Sequence, residues 1–517
     1  MGQGRQGFRR QARLNIMNEN LFALLAARFP ADRKSCAIET TDGGYWSWQD
    51  LDFASARIAN LLKSLKLPAG SRVAVQVDKS VEAVCLYLAT LRAGHVFLPL
   101  NSAYQAAEID YFLQDAEPAV VVCSPANQGW IEPIARARGA RQVYTLSDQG
   151  SGSLLEAATP FPDRCPVVTR KAIDMAAILY TSGTTGRSKG AMLSHGNLSS
   201  NAIMLNTYWR WRASDVLLHA LPIFHVHGLF VALHGALYAG ARMIWMNRFD
   251  PKSVVARLPQ TTVFMGVPTM YVRLLDEAFF DEQAVRNMRL FISGSAPLLT
   301  DTFRLFEART GQRILERYGM SETVMLTSNP YDGNRVAGTV GLPLPGVSAR
   351  VVDDQGRPCA CGEIGVIEVR GPNVFGGYWR MPEKTREEFT TDGWFKTGDV
   401  GRWDQNGYLS IVGRSKDLII SGGYNVYPKE IESYLDDMPG VLESAVIGVP
   451  HRDFGEAVTA VVVRQPGANL QEAAIIAELK GRIASFKVPK RVHVVDELPR
   501  NAMGKVQKNE LRKRYAN

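Results

Sequence analysis

Residues 180–190 read Tyr-Thr-Ser-Gly-Thr-Thr-Gly-Arg-Ser-Lys-Gly, and this stretch decides how the rest of the chain is interpreted. An apolar run before it, at 174–179, predicts a strand, and residues 191–193 after it predict a second strand. Ser194 then suits the N-cap of a helix that begins near His195. The local pattern is therefore strand, loop, strand and helix.

The composition of residues 180–190 is typical of a polyphosphate site, and this stretch is called the phosphate loop below. Glycines let backbone amides turn toward one point, and the hydroxyl groups, together with Arg187 and Lys189, add further donors. The spacing differs from a Walker A loop, which needs Gly-Lys-Ser/Thr and a helix directly afterwards. A flexible surface loop rich in Gly, Ser and Thr is the structural alternative.

Composition limits the class of protein. A chain of 517 residues is too long for one core and should divide into two or more lobes. Its 59 basic and 51 acidic side chains leave a net charge of +8, which favours anionic small substrates over nucleic acid. The six cysteines lack the spacing of a zinc site, so we expect reduced thiols in a cytoplasmic enzyme.

Two segments could be mistaken for targeting or membrane elements. Residues 1–16 carry four arginines and no acid, so a mitochondrial transit peptide is an alternative to a short extension ahead of Met17. We favour the extension, and thus the cytoplasm over the mitochondrial matrix. Residues 216–241 lack formal charge over a length that could span a bilayer, but their histidines, proline and glycines favour a buried strand and helix.

The order of the predicted elements indicates the domain architecture. Residues 17–150 and the segment after the phosphate loop both alternate short apolar strands with helical patterns, which predicts two α/β subdomains with parallel sheets. From about Gly338 to Arg414, short strands and turns predict a β-barrel-like lobe. We therefore predict an α/β protein with a large N-terminal domain at 17–414 and a small, mobile α+β C-terminal domain at 415–517.

The candidate site follows from where the loops fall on the second sheet. Ligands of open α/β sheets bind beyond the carboxyl ends of the strands. The loops at 181–190, 224–228, 293–297 and 318–322 follow predicted strands and should all face one crevice. The sequence thus predicts a single active-site rim.

Motifs along the chain beyond Met17 resemble those of the acyl-adenylate-forming enzymes, which include acyl-CoA synthetases, luciferases and peptide-synthetase adenylation domains. Besides the phosphate loop, they are Glu316-Arg-Tyr-Gly-Met-Ser-Glu322, Thr397-Gly-Asp399, Gly413-Arg414-Ser-Lys-Asp417 and Pro499-Arg-Asn-Ala-Met-Gly-Lys505. Stretches beginning at His219, Arg289 and Thr327 resemble malonyl-CoA synthetases. The resemblance implies that a carboxylic acid and ATP form an acyl-adenylate, whose acyl group then passes to coenzyme A.

The resemblance also implies roles for the motif residues. The expected ATP-binding residues are Thr181, Ser182, Gly183, Thr184, Thr185, Gly186 and Lys189 at the phosphates, Gly294, Ser295, Ala296 and Tyr318 at adenine, Glu316, Arg317, Gly319, Met320 and Ser321 in the same motif, and Asp399 and Arg414 at the ribose. Glu322, with Thr184, is expected to hold Mg2+. Gly422 and Gly423 are expected to face coenzyme A.

Lys505, Glu322 and His225 are the catalytic residues that the resemblance implies. Lys505 is expected to reach the α-phosphate and the carboxylate, where a fixed positive charge stabilises oxygens that crowd together. A solvated basic tail that includes Lys508 is the alternative environment for Lys505. The resemblance further implies that Lys505 withdraws before coenzyme A enters, by rotation of the C-terminal domain about a hinge near Lys416.

The choice of substrate depends on a cation in the acyl pocket. Malonate keeps a second carboxylate after activation, and burying that charge unpaired costs on the order of several kcal/mol. The resemblance points to Arg289 as the pairing cation, whereas its spacing alone favours a solvated strand end. His225 and His227 are further candidates, and Met325 is expected to line the pocket.

Ligation of malonate to coenzyme A is therefore the predicted reaction. The alternatives are a medium- or long-chain fatty acyl-CoA synthetase and a separate adenylation enzyme that loads a carrier protein. The expected partners are small molecules, namely a carboxylic acid, ATP with Mg2+, and coenzyme A. Nucleic acid and a transmembrane segment are not expected.

Overall fold

The computed structural model describes residues 18–181, 188–421, 424–451, 454–483, 485–501 and 504–516. The elements before the phosphate loop are α1 (Leu21–Ala26), β1 (Cys36–Thr40), β2 (Tyr45–Ser47), α2 (Trp48–Ser64), β3 (Arg72–Gln76), α3 (Val81–Arg92), β4 (Val96–Pro99), α4 (Ala106–Ala116), β5 (Val120–Cys123), α5 (Gln128–Ala137), β6 (Gln142–Thr145), α6 (Ser153–Ala158) and β7 (Met175–Thr181).

The elements that follow the loop complete the second subdomain. They are β8 (Lys189–Ser194), α7 (His195–Tyr208), β9 (Val216–His219), a π-helix (His227–Leu233), α8 (His234–Ala239), β10 (Arg242–Trp245), α9 (Pro251–Arg257), β11 (Val263–Gly266), α10 (Pro268–Leu275), β12 (Leu290–Ser293), α11 (Thr300–Thr310), β13 (Ile314–Tyr318), β14 (Thr327–Ser328) and β15 (Leu342–Pro343).

The remaining elements belong to the β-lobe and the C-terminal part. They are β16 (Ser348–Val352), β17 (Gly365–Arg370), α12 (Pro382–Glu388), β18 (Phe395–Trp403), β19 (Leu409–Arg414), β20 (Ile419–Ser421), β21 (Tyr424–Val426), α13 (Pro428–Asp436), β22 (Val441–His451), β23 (Gly455–Arg464), α14 (Glu472–Lys480), β24 (Arg491–Val495) and α15 (Lys508–Tyr515). Short 3-10 helices lie at Pro125–Asn127, Leu258–Gln260 and Ser415–Asp417.

Two large sheets form the bulk of the chain. A six-stranded sheet has the order β6-β5-β3-β4-β7-β8 and is parallel except for its last strand. A nine-stranded sheet has the order β15-β14-β13-β12-β11-β9-β10-β1-β2, in which β2 and β14 run opposite to the other strands. Parallel neighbours need crossover connections, which the intervening helices supply. The predicted pair of parallel α/β subdomains is confirmed.

The elements around the phosphate loop also follow the prediction. β7 and β8 form an antiparallel pair in which Thr181 lies opposite Lys189. The Ser194 side chain accepts a hydrogen bond from the backbone N–H of Asn197, and the Asn197 side chain accepts one from the N–H of Ser194. This reciprocal cap fixes the start of α7 directly after β8.

A buried lysine joins the two subdomains. Lys79, in the turn between β3 and α3, donates to the carbonyl oxygens of His219 and Met246 at 2.8 and 2.7 Å. Its ammonium lies 4.2 Å from the centre of the Trp245 ring. Both carbonyls belong to the nine-stranded sheet's side of the interface, so the buried amine of Lys79 finds these acceptors only when the two sheets meet.

The β-lobe and the C-terminal part have smaller sheets. The lobe contains a four-stranded antiparallel sheet in the order β16-β17-β18-β19. The C-terminal part contains a five-stranded sheet, β21-β20-β23-β22 with β24 beside β23, and buries apolar residues of α13, α14 and α15 against it. The predicted fold class is confirmed, while the domain boundary at 414 and the hinge near Lys416 stay predictions.

Residues 216–241 form β9, the π-helix and α8, followed by the turn that leads to β10. In the part of the chain that the structure describes, no helix is long and apolar enough to cross a membrane. The predicted buried strand and helix are confirmed, whereas the π-helix at His227–Leu233 was not predicted.

The buried histidine His95 should make the free energy of unfolding depend on pH. Burial, and then the charge of Arg170, lowers the pKa of His95 to about 4. Below its ordinary pKa the unfolded chain binds a proton here that the folded chain does not, so falling pH favours unfolding. Between about pH 7 and pH 5, His95→Gln should therefore lose about 2 kcal/mol less unfolding free energy than the parent. Urea titrations at both pH values measure this, and equal losses in the two proteins would contradict it.

Candidate active site

The loops at 224–228, 293–297 and 318–322 lie together beyond the nine-stranded sheet, whereas most of the fourth predicted loop, 181–190, lies outside the described residues. The hydroxyl of Ser295, after β12, lies 3.3 Å from Nδ1 of His227 at the start of the π-helix. Tyr318, at the end of β13, donates a hydrogen bond to Asp399 on β18. Residues from the second subdomain and from the β-lobe therefore share the same rim.

Part of the predicted site lies outside the described residues. These positions are Ser182, Gly183, Thr184, Thr185 and Gly186 in the phosphate loop, and Gly422 and Gly423 at the expected coenzyme A site. Their roles stay predictions. Thr181 and Lys189 flank the loop at the facing ends of β7 and β8.

Asp399 is a fixed, buried acceptor at the predicted ribose position. It accepts a hydrogen bond from the Tyr318 hydroxyl and forms an ion pair with Nε of Arg414 at 2.9 Å. The charge of Asp399 raises the pKa of Arg414. Because two donors already orient the carboxylate, Asp399 is pre-organised to accept further hydrogen bonds from a ligand.

Glu322 is the buried carboxylate predicted to hold Mg2+. Its Oε1 atom accepts a hydrogen bond from the Tyr378 hydroxyl at 3.0 Å, and burial raises its pKa. No cluster of three or more His, Cys, Asp or Glu side chains in the described part could hold a metal alone. Mg2+ is often held by one or two protein carboxylates together with phosphates and water. Glu322 fits such an ion, and Thr184 stays a predicted ligand.

The rest of the Glu316–Glu322 motif shapes the turn that presents Glu322. The turn after β13 contains Gly319, Met320 and Ser321. A Cβ on Gly319 would lie 1.9 Å from the carbonyl oxygen of Val324, so only glycine fits there. Glu316 accepts a hydrogen bond from the N–H of Leu298 at 3.0 Å, and burial raises its pKa to about 8. Direct contacts of these residues with ATP stay predictions.

Arg317 is the buried cation of the crevice. Its guanidinium lies against Gly294, where a Cβ would be 2.4 Å from Cζ of Arg317. The side chain is 3% exposed, and its Nε and Nη2 atoms have no hydrogen-bond partner among the described residues. Burial lowers the pKa of Arg317 to about 9, which leaves it positively charged at neutral pH. Arg317 is thus poised to pair with a buried anion, a role that differs from the expected contact with ATP.

The two candidate histidines are neutral neighbours of Arg317. Burial, followed by the charges of Lys505 and Arg317, lowers the pKa of His225 to about 3. Burial and the charge of Arg317 also lower the pKa of His227 far below its ordinary value. Neither histidine therefore supplies positive charge at neutral pH, so the predicted pocket cation must be an arginine or a lysine.

Lys505 enters this crevice from the C-terminal part. Burial and then the charge of Arg414 lower its pKa, whereas the carboxylates Asp399 and Glu322 raise it. Lys505 keeps solvent-exposed surface, yet its ammonium is close enough to these groups, and to His225, for their charges to affect one another's pKa values. Lys508, from the alternative basic tail, is instead paired within the C-terminal part. Lys505 is therefore located at the site and not in a solvated tail.

The prediction that Arg289 supplies the pocket cation is wrong. Arg289 precedes β12, whereas the crevice lies beyond the other end of this strand, at Ser293. The Nε atom of Arg289 donates to Oδ1 of Asp215 at 2.7 Å, and Nη1 donates to the carbonyl oxygen of Trp209 at 3.2 Å. Asp215 is 2% exposed, so this ion pair joins the amino ends of β9 and β12.

Two smaller predictions concern the turns beside the crevice. Ser295 adopts a left-handed backbone conformation with a φ of 74°, which turns the chain sharply before Ala296. Met325 is buried, and its carbonyl oxygen accepts hydrogen bonds from the side-chain amides of Asn201 and Asn373. These contacts fix both turns, while contacts of Ala296 with adenine and of Met325 with the acid stay predictions.

Tyr378 and Glu388 are site residues that sequence reasoning missed. The Tyr378 ring lies 4.4 Å from the ammonium of Lys189, and Glu388 forms an ion pair with the same ammonium at 3.4 Å. The available signal was the run Gly376-Gly377-Tyr378-Trp379, where two aromatic residues follow a glycine pair between predicted strands.

Comparison with known proteins identifies the family of this chain. Residues 22–379 match the family model of the AMP-binding enzyme, and residues 430–505 match that of the AMP-binding enzyme C-terminal domain. The malonate–CoA ligase of Arabidopsis thaliana is 37% identical, over 96% of this chain and 90% of that protein. ATP-bound MatB from Rhodopseudomonas palustris is 57% identical with a TM-score of 0.95, over 97% of this chain and 99% of that chain.

The apo structure of the same MatB gives a lower TM-score of 0.84 at the same identity and coverage. The arrangement of this chain is therefore nearer to the ATP-bound structure, in keeping with Lys505 in the crevice. The family models cover both the large and the C-terminal part, and the relatives match nearly the whole length. The chain belongs to the AMP-binding enzyme family.

Proposed function

We propose that this protein ligates malonate to coenzyme A through a malonyl-adenylate and releases AMP and pyrophosphate. Arg317 carries the proposal, because it is a buried cation whose Nε and Nη2 have no partner among the described residues, and it lies beside the neutral His225 and His227. The second carboxylate of malonate would pair with Arg317, and each charge would offset the cost of burying the other. The similarity to a malonate–CoA ligase supports the same substrate.

The first step forms a bond between a malonate oxygen and the α-phosphorus of ATP as pyrophosphate leaves. Lys505 would contact oxygens of both reactants and stabilise the charge that accumulates between them. Asp399 would hold the ribose hydroxyls, and Lys189 would contact the leaving phosphates. Bound Mg2+, held by Glu322, would neutralise phosphate oxygens. Most of the rate enhancement would then come from positioning and charge stabilisation.

In the second step the thiol of coenzyme A attacks the acyl carbon, and AMP leaves. Lys505 lies in the crevice in this arrangement, so we infer that it withdraws before the thiol enters. Rotation of residues 415–517 about a hinge near Lys416 would move it, and would bring Gly422 and Gly423 toward coenzyme A. The domain boundary and this hinge are part of the proposal.

The polarity of the pocket favours malonate over a fatty acid. Besides Arg317, the buried Nε2 of His227 and Oγ of Ser293 have no hydrogen-bond partner within the described residues. A hydrocarbon chain would leave all of these groups unpaired, which costs on the order of 1–3 kcal/mol for each neutral group. Loading of a carrier protein remains the other alternative, and transfer to free coenzyme A without a carrier would exclude it.

We infer that the reaction takes place in the cytoplasm. The six cysteines, Cys36, Cys85, Cys123, Cys165, Cys359 and Cys361, are all free thiols, which suits a reducing compartment. The mitochondrial matrix is the alternative if residues 1–16 act as a transit peptide.

A panel of carboxylic acids tests the proposed function. AMP release should be measured with ATP, Mg2+ and coenzyme A, and with malonate, acetate, butyrate or octanoate as the acid. We expect malonate to give the highest kcat/KM, by at least about a hundredfold, because only its second carboxylate pairs with Arg317. A preference for octanoate would contradict the proposal and favour a fatty acyl-CoA synthetase.

The substitution Arg317→Met tests the pairing cation directly. It should lower kcat/KM for malonate by about a thousandfold, because one buried charge then lacks its partner, and change kcat/KM for butyrate severalfold at most. Arg289→Met is the matched control, since it removes a guanidinium from the opposite end of the same sheet. The control should lower Tm and leave the malonate-to-butyrate ratio unchanged. Equal losses on both acids in Arg317→Met would refute the pairing.

Lys505→Ala separates the two half-reactions. Loss of the ammonium should reduce adenylate formation by about a hundredfold or more, measured as malonate-dependent exchange of pyrophosphate into ATP. Thiolation of supplied malonyl-adenylate should be spared, because Lys505 has withdrawn in that step. Lys513→Ala, at an exposed position of α15, is the control. If both half-reactions fell together, the proposed rotation would be wrong.

A further inference from the structure

One tyrosine in the crevice contacts two groups of opposite charge. Tyr378 is 4% exposed, and its hydroxyl donates to Oε1 of Glu322 at 3.0 Å. The ammonium of Lys189 lies 4.4 Å from the centre of the same ring. A phenol donates well to a carboxylate, and the face of its ring attracts a cation. The tip of Tyr378 therefore holds an anion while its ring holds a cation.

Backbone hydrogen bonds fix Tyr378 from both directions. The N–H of Phe375 donates to the carbonyl oxygen of Glu322 at 2.8 Å, and the N–H of Trp379 donates to the carbonyl oxygen of Gly190 at 2.8 Å. The segment 375–379 thus connects the turn that carries Glu322 with β8, which carries Lys189. The backbone on each side of Tyr378 is therefore anchored to one of the two segments that carry the charged groups.

The two charged groups are close enough to attract each other. Burial raises the pKa of Glu322, and the positive charge of Lys189 opposes part of that rise. Lys189 is instead paired with Glu388 on α12 at 3.4 Å, and Glu388 is shared with Lys384 at 3.2 Å. A direct pair between Lys189 and Glu322 would use up the charges that polyphosphate and its metal ion require.

We propose that Tyr378 is a positioning residue that keeps Glu322 and Lys189 apart and orients both for MgATP. Its hydroxyl fixes the rotation of the Glu322 carboxylate, and its ring provides a neutral surface on which the Lys189 ammonium rests. Glu388 holds that ammonium from the other side. The inference rests on the proposed use of ATP with Mg2+ and concerns the step before any acid reacts.

Calorimetric titration of the full chain with ATP, without any acid, tests this role. Tyr378→Phe keeps the ring and removes the hydroxyl, so it should raise the Kd of ATP about tenfold with Mg2+ present, since a hydrogen bond to a charged group is lost. With EDTA in place of Mg2+, the Kd should change less than about twofold, because the hydroxyl acts through Glu322. Thiolation of supplied malonyl-adenylate should be unchanged.

Tyr378→Leu tests the ring. Without the aromatic surface Lys189 should move onto Glu322, so ATP should bind more weakly than to Tyr378→Phe, even with EDTA present. Tyr408→Phe is the matched control, because it also removes a hydroxyl with a single hydrogen bond, here to the carbonyl oxygen of Asn334 at 2.8 Å. This control should bind ATP like the parent.

Several results would overturn the positioning role. The first is that Tyr378→Phe binds MgATP like the parent. The second is that the affinity of Tyr378→Phe for ATP falls equally with and without Mg2+. The third is that the Phe and Leu variants bind ATP with identical affinities. A loss of thiolation in step with a lower Tm would also overturn it, because a purely structural defect would then suffice. Failure of the proposed malonate reaction is distinguishable, since it would appear in the acid panel with the parent while ATP binding remained measurable.

Discussion

A positive charge buried at Arg317 is the constraint on which the rest of the acyl pocket depends. The guanidinium occupies the space that a side chain at position 294 would need, which explains the glycine there. It also disfavours protonation of His225 and His227, so these walls are neutral. A buried cation with unpaired donors is costly to a fold on its own. This cost is consistent with the proposal that the pocket receives an anionic ligand.

The other charged side chains of the crevice differ from Arg317, because each has a partner that still leaves it able to contact a ligand. Asp399 has two donors and still offers its oxygens to the crevice. Glu322 is fixed by a neutral phenol, and Lys189 is shared with a carboxylate that also serves Lys384. Asp399, Glu322 and Lys189 do not form ion pairs with one another. Preorganised charges of this kind stabilise a reacting centre without reorganisation at the moment of reaction.

The features predicted correctly from the sequence depend on residues that are close together in the chain. The Ser194 cap and the strands beside the phosphate loop depend on near neighbours, and both were predicted correctly. The error at Arg289 arose because a motif does not show which end of a strand faces the ligand, and four extended residues separate Arg289 from Ser293 by roughly 13 Å. The contact between Arg317 and Gly294 joins two strands and depends on the alternation of side chains along β13, so no single motif contains it.

The strand order has a consequence for how the chain is made. β1 and β2 are synthesised before any strand of the six-stranded sheet, yet β1 pairs with β10 at residues 242–245 in the other sheet, and β2 pairs with β1 at its edge. When the chain has been synthesised only as far as the phosphate loop, β1 therefore lacks its partner strand β10 and has an unpaired edge. Lys79, which is buried in the folded protein, lacks its hydrogen-bond acceptors at the same stage. The strands of the six-stranded sheet all lie between residues 72 and 194, so that sheet can form first, whereas the nine-stranded sheet needs β1 and β2 as well as strands synthesised much later. A cut after β8 would leave the nine-stranded sheet without β1 and β2.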